Sequence, residues 1–187
     1  LDNTNKTAYR NPRLVRLTNI ILDTGGDALA QTENYLYDTT FEMSFGVDRI
    51  NTIERHFVSV PSANAIGDAI ELIPTGTSIA RETQIVYLDD SGYRNRNILG
   101  LPTFQFIKDG NHNIVAKTEW IYDESSYTAQ PYSDLDNVTY YTDPGTPIRG
   151  NPTTVKRWVD INQDIHLDTH TTFDEAGNPV AFMNERL

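Results

Sequence analysis

Apolar and polar residues alternate along much of this chain. In Phe41-Glu42-Met43-Ser44-Phe45-Gly46-Val47-Asp48 the alternation has the two-residue period of a half-buried strand. Ile114, Ala116, Thr118, Trp120 and Tyr122 form a second stripe of the same period, which places them on one side of a strand and predicts a buried Trp120. Further strand-like runs cover 14–22, 50–60, 83–88, 102–108, 137–142, 153–161 and 165–173. Turn clusters separate them: Thr24-Gly25-Gly26-Asp27, Asp89-Asp90-Ser91-Gly92, Asp109-Gly110-Asn111, Asp143-Pro144-Gly145 and Glu175-Ala176-Gly177-Asn178. Each offers Gly or Asn where a positive φ is wanted and most offer an Asp that can cap the turn. The nearest approach to a helix, 62–72, contains Gly67 and is flanked by Pro61 and Pro74, so a short turn or loop is expected there. The pattern predicts an all-β fold of antiparallel hairpins joined into a continuous sheet.

The strands repeat. "ALAQTENYLYD" (28–38) and "NIVAKTEWIYD" (113–123) share Ala, Thr-Glu and a closing Tyr-Asp, with one residue of slip. "GLPTFQF" (100–106), "GNPTTVKRW" (150–158) and "GNPVAF" (177–182) each place Gly-x-Pro before a strand-like run. "YLDDSG" (87–92) and "FDEAG" (173–177) each place Asp-x-x-Gly shortly after an aromatic residue. Together these describe one hairpin unit repeated with insertions.

Composition narrows the partners. The chain has 187 residues, a net charge of −11 and no cysteine. The acidity repels phosphate backbones, so no nucleic-acid partner is expected. Without cysteine there is no disulfide frame and no Cys-based zinc site. No apolar run approaches the ~20 residues of a membrane helix, so no membrane insertion is expected. The sequence opens on Leu1 rather than Met, which suggests a processed chain or a piece of a longer one.

These residues resemble the bacterial RHS or YD-repeat family, whose units close on Tyr-Asp and continue as Asp-x-x-Gly-Asn. Tyr37-Asp38 and Tyr122-Asp123 match the first half, and Phe173-Asp174-Glu175-Ala176-Gly177-Asn178 matches nearly all of it with Phe for Tyr. Asp89-Asp90-Ser91-Gly92 keeps the spacing and lacks the Asn. The resemblance covers 80–187 well and 14–48 weakly, so 1–79 is read as a divergent β-rich segment and 80–187 as hairpin repeats. It implies an arc of a hollow β-shell in a secreted or cell-surface protein, enclosing or displaying a toxin or effector. It also implies edge strands that pair with further sequence of the same protein or with neighbouring copies. The family's self-cleaving aspartates have no recognisable counterpart here, so no catalytic residue and no cofactor are expected and the chain is not read as an enzyme.

Asp89, Gly92, Asp174, Gly177 and Asn178 are therefore expected to be structural turn residues, and Tyr37, Tyr122 and Phe173 to be the repeat aromatics. The sharpest competing chemistry lies in "DINQDIHLDTH" (160–170). On a strand Asp160, Asn162, Asp164, His166, Asp168 and His170 share a face, and Asp164, His166 and Asp168 are the candidate metal ligands. Asp160-x-Asn162-x-Asp164 starts like an EF-hand loop, but Ile165 stands where Gly is needed and Thr171 where Glu is needed. A solvated polar face over Ile161, Ile165 and Leu167 accounts for the same pattern.

Two other functions remain open at this stage. A carbohydrate-binding or adhesive β-domain would use Tyr132, Tyr140, Tyr141 or Trp158 as sugar platforms. A hydrolase would use an acidic pair such as Asp89-Asp90 or Asp123-Glu124, although neighbours on a strand point to opposite faces and would not form one site. His112, in the turn-like "DGNHN", is expected to be exposed. Asn5 and Asn137 open acceptor sequons for glycosylation.

Overall fold

The computed structural model describes residues 13–21, 28–40, 49–60, 78–127 and 145–184. The strands expected over 41–48 and 137–142, the loop over 62–72, Tyr132, Tyr140, Tyr141 and both sequons lie outside these residues. Nine strands are described: β1 (Arg16–Ile21), β2 (Ala28–Tyr37), β3 (Ile50–Val60), β4 (Arg81–Tyr87), β5 (Pro102–Asp109), β6 (Ile114–Tyr122), β7 (Pro152–Asp160), β8 (Ile165–Phe173) and β9 (Pro179–Asn184). A one-turn helix, α1 (Ser91–Asn95), and a 3-10 turn (Ser125–Tyr127) interrupt the connections. The nine strands form one open antiparallel sheet in chain order, each paired with its sequence neighbours. The sheet runs without a break across the 79/80 boundary that the repeat pattern suggested, because β3 pairs with β4 from Thr52↔Gln84 to Arg55↔Arg81.

Cross-strand partners point to the same side, so the register assigns two faces. One carries Tyr35, Tyr37, Ile53, Ile85, Tyr87, Ile107, Trp120, Tyr122 and Val155. The other carries Thr32, His56, Glu54, Glu82, Lys108, Phe104, Phe106, Lys117, Lys156, Trp158, His166 and Asp168. Among the described residues no second layer covers either face, and Ala30 is the one buried apolar residue. The other buried residues are Thr32, His56, Thr153, Thr154, Thr171 and Asp174, all polar. Among the described residues, cohesion therefore comes from the hydrogen-bonded ladder and from cross-strand side-chain pairs rather than from an enclosed hydrophobic core. Trp120 shares the face of Ala116 and Tyr122 but is half-buried rather than enclosed, and the register shift at the start of β6 takes Ile114 out of the stripe.

The repeat is real in three dimensions, and it is anchored at the end of each even-numbered strand. There the register shifts at Leu36/Tyr37, Val86/Tyr87, Ile121/Tyr122 and Thr172/Phe173. In each case the second residue of the next strand is the extra one: Asn51, Thr103, Thr153 and Val180. A bulge bends its strand and raises the local twist, so the same distortion is inserted once per hairpin. The phenol of the closing tyrosine then reaches back to the start of the preceding strand. Tyr37 Oη donates to the Leu14 carbonyl (2.8 Å), Tyr87 to Ile50 (2.6 Å) and Tyr122 to Pro102 (2.7 Å). The following residue donates its N–H to the carbonyl just before the next strand: Asp38 to Arg49 (2.9 Å), Leu88 to Leu101 (2.8 Å), Asp123 to Asn151 (3.0 Å) and Asp174 to Asn178 (2.9 Å). These anchors are the same although the connections they close differ widely in length.

The one-residue slip between the two Tyr-Asp segments has a visible result. Tyr37 and Tyr122 occupy matching positions, but Thr32 lies on the charged face and Thr118 on the tyrosine face, because strand side chains alternate with a period of two.

Phe173 closes β8 without a hydroxyl, so the Pro152 carbonyl meets no phenol from it. Tyr122→Phe is expected to lower stability by about 1 kcal/mol, the net worth of one hydrogen bond, and Phe173→Tyr to raise it by a similar amount. Urea titration of the three chains checks both signs.

Candidate functional site

The described part of the molecule concentrates its polar chemistry along the edge where the even strands end. Asp123 is the centre of that seam. It follows Tyr122 with a left-handed φ of 51°, a conformation that Asp tolerates better than most residues. Its Oδ2 accepts the backbone N–H of Arg149 (2.8 Å), the N–H of Gly150 (2.7 Å) and the hydroxyl of Tyr93 (2.9 Å), while Oδ1 accepts the N–H of Asn151 (3.1 Å). One carboxylate thus orders the approach to β7 and ties it to the helix α1 of the preceding connection. Burial and the Asp123 carboxylate both push the Tyr93 phenol pKa up, which keeps the donor protonated.

The Gly-x-Pro sequences complete the seam. Gly100, Gly150 and Gly177 have φ of 80°, 82° and 87°, so each is left-handed two residues before the proline that opens the next strand. Proline suits that position because its nitrogen donates no ladder bond.

Asp174 behaves as the sequence predicts. Its Oδ1 accepts the N–H of Ala176 (2.9 Å) and Asn178 (2.8 Å), its Oδ2 accepts Asn178 Nδ2 (2.9 Å), and Gly177 supplies the reversal. Burial works to raise its pKa, but the Asn178 amide and the N–H groups of Asn178, Ala176 and Gly177 outweigh it and hold the carboxyl below its usual range. Asp109 makes the same turn, with N–H bonds from Asn111 and Asn113 and an amide bond from Asn113 Nδ2, and with His112 at φ 64° in the glycine position. Having His in place of Gly concealed this second copy in the sequence. The Asp-x-x-x-Asn spacing shared by 109–113 and 174–178 is the signal that could have revealed it.

Asp89 and Gly92 do not form a corresponding turn. The structural counterpart of Asp174 is Leu88, one residue earlier. Asp89 is exposed and pairs with Arg94, while Asp90 caps α1 through Gly92 N (2.7 Å) and Tyr93 N (3.4 Å). Gly92 packs closely, since a Cβ there would come within 2.7 Å of Ile148 Cδ1 and the isoleucine methyl would have to shift.

The metal candidates are likewise rearranged. Residues 161–164 are the turn between β7 and β8, so Asp160, Asn162 and Asp164 do not continue the strand face of His166 and Asp168. Asp160 caps that turn through Asn162 N (2.9 Å) and Gln163 N (3.1 Å). Asp164 accepts Trp158 Nε1 (2.7 Å), while His166 Nδ1 meets Asp168 Oδ1 at 2.5 Å. Among the described residues no three His, Asp or Glu side chains are grouped to hold a metal. Trp158 carries the Lys117 ammonium 3.7 Å from its ring centroid and His166 at 5.0 Å, so protein groups already occupy part of its surface. His112 is exposed, with Nδ1 3.3 Å from Glu82 Oε2.

Asp123 and Glu124, expected to point apart, line one cavity of about 260 Å³ with Tyr127, Arg149, Phe173 and Glu175. They lie beyond the end of β6, where strand alternation no longer applies. Glu124 Oε2 accepts the hydroxyls of Thr153 (2.8 Å) and Thr154. Thr154 spends its only proton there, so His170 Nδ1, 2.9 Å away, is the donor to its oxygen. Tyr127 stacks on His170 at 4.7 Å. Both acids of this pair are committed to holding backbone and hydroxyl groups in place. Neither the Asp123 cradle nor the Thr153–Thr154–His170 network carried a sequence signal beyond the Tyr-Asp motif itself.

Asp123→Ala is expected to cost about 2–3 kcal/mol, and Tyr93→Phe about 1 kcal/mol, with the double variant losing less than the sum because both act on one carboxylate. Chemical denaturation of the four chains measures the coupling. Burial also lifts the Tyr122 phenol from 10.0 to about 12. Above the unfolded value the unfolded chain binds fewer protons than the fold, so stability falls with rising pH from about 10 and the phenol's contribution is lost through about 12. Tyr122→Phe should flatten that alkaline slope in denaturation midpoints measured across the range.

No protein-family model, curated protein or solved structure matches this chain.

Proposed function

We propose that this chain is a structural segment of a secreted or cell-surface RHS-like protein, an arc of wall that encloses or displays a toxin or effector. One observation carries the reading. A single open sheet is assembled from a hairpin unit whose bulge, phenol anchor and Gly-x-Pro lead recur, with no enclosed apolar core among the described residues. A wall needs two wet faces and a distortion that repeats at regular intervals, and the bulges supply that distortion. An enzyme or small binding domain more often gathers its strands around a core that shapes a pocket.

Carbohydrate binding through Trp158 is less favoured, because Lys117 and His166 already crowd its ring. Hydrolysis by Asp123 and Glu124 is less favoured, because both Asp123 oxygens and Glu124 Oε2 are held by backbone and side-chain donors.

Electron microscopy of the protein expressed from its whole reading frame is expected to show a hollow particle with these strands in its wall. A solid particle without an interior space would overturn the reading. For the purified 187-residue chain, light scattering is expected to show concentration-dependent association through the sheet edges. A concentration-independent monomer with one sharp unfolding transition would count against an open wall segment.

A further inference from the structure

The outer edge of β9 has a specific chemical shape, set by the alternation of backbone carbonyls. In β3 and β5 the carbonyl before the strand turns back to the preceding strand: Arg49 O accepts Asp38 N and Leu101 O accepts Leu88 N. Successive carbonyls of a strand point to opposite sides, so the first carbonyl of the strand turns forward. There it meets the tyrosine that closes the following strand, Tyr87 at Ile50 O and Tyr122 at Pro102 O. The register is constant. Continuing the Thr52↔Gln84 and Phe104↔Glu119 pairings places Ile50 opposite Val86 and Pro102 opposite Ile121, with the tyrosine one residue beyond each.

β9 repeats the first half of this arrangement. Asn178 O accepts Asp174 N (2.9 Å), so Pro179 O faces away from β8. Among the described residues nothing pairs with that side of β9. Residues 179–184 are all exposed, with Phe182 70% accessible. We infer that this edge is a docking surface for an antiparallel β-strand whose closing residue is tyrosine, its hydroxyl capping the Pro179 carbonyl and its penultimate residue lying opposite Pro179.

The closing tyrosine selects the occupant. A second copy could meet this edge only through its own edge strands, β1 (RLTNII) or β9 (PVAFMN), and neither carries a tyrosine to place at the Pro179 carbonyl. The partner is therefore a segment of even-strand character, extended, alternating and ending in Tyr, as β2, β4 and β6 do. This deepens the wall reading at one edge but is tested separately from it.

The probe is a fluorescent peptide of sequence IVAKTEWIYD, identical to residues 114–123. Anisotropy is expected to show binding to the 187-residue chain, about five-fold weaker for the peptide with Phe in place of Tyr. Hydrogen exchange is expected to show new protection confined to 179–184. Equal affinity of the two peptides would overturn the phenol cap, and absent binding or protection at β1 instead would overturn the docking surface. Either failure leaves the wall reading to be judged by whether the whole protein encloses a space.

Discussion

The structure depends on satisfying backbone hydrogen-bonding groups where one hairpin passes to the next. Among the described residues the open sheet has no apolar core and little else to hold its connections, and an unpaired polar group that is shielded from water costs about as much as a lost hydrogen bond. This chain meets the requirement with the same groups at β2, β4 and β6, and at β8 with all but the phenol, since Phe173 has no hydroxyl. A phenol caps the first carbonyl of the preceding strand, and the next N–H caps the carbonyl before the following one. Where an aspartate follows the aromatic residue, its carboxylate gathers donors from the far end of the connection. Asp123 collects three backbone N–H groups, Asp174 two, and Asp38 the Arg49 guanidinium.

The same arrangement explains how connections of such different lengths coexist. The five-residue turn at 174–178 and the connection from 123 to 151 end in equivalent bonds, so an insertion between the anchors leaves the sheet undisturbed. The longer connections also support each other. Tyr93 on α1 donates to Asp123, and Arg149 Nη1 donates to the Glu175 carbonyl at 3.0 Å. Gly150 lies so close to Ile98 that an added Cβ would stand 3.0 Å from its Cγ2. The seam is thus a continuous structure running across the hairpins, and not a row of independent turns.

Between the seam and the opposite edge, the two faces are held by side-chain pairs suited to partial solvent exposure. Lys108 reaches Glu82 at 2.7 Å, Arg55 Nε reaches Glu33 at 2.9 Å, and Lys117 lies against the rings of both Phe104 and Trp158. Each is worth little alone in water. They cover apolar surface with the stems of long charged side chains, which suits faces over which the described residues place no second layer.

The all-β character, the strands at 50–60, 102–108 and 165–173 and the Asp174 turn were legible in the sequence, because each follows from local rules: a period of two, and an Asp, Gly and Asn at turn spacing. The recurring Tyr-Asp and Gly-x-Pro were legible as a repeat, but their meaning was not. That Tyr122 reaches Pro102 and Asp123 reaches Gly150 depends on which strands lie side by side, which no local pattern states. The same limit explains the one-residue error that equated Asp89 with Asp174. Alignment by letters matched aspartate to aspartate, whereas the backbone matches Leu88, whose N–H makes the bond and whose side chain is irrelevant to it. The single polar face drawn from Asp160 to His170 is broken in the structure because a turn at 161–164 interrupts the strand alternation. The sequence by itself determined the period and the punctuation of the chain. The tertiary structure alone decided which carbonyls, carboxylates and phenols meet, because those bonds join residues brought together only by strand pairing.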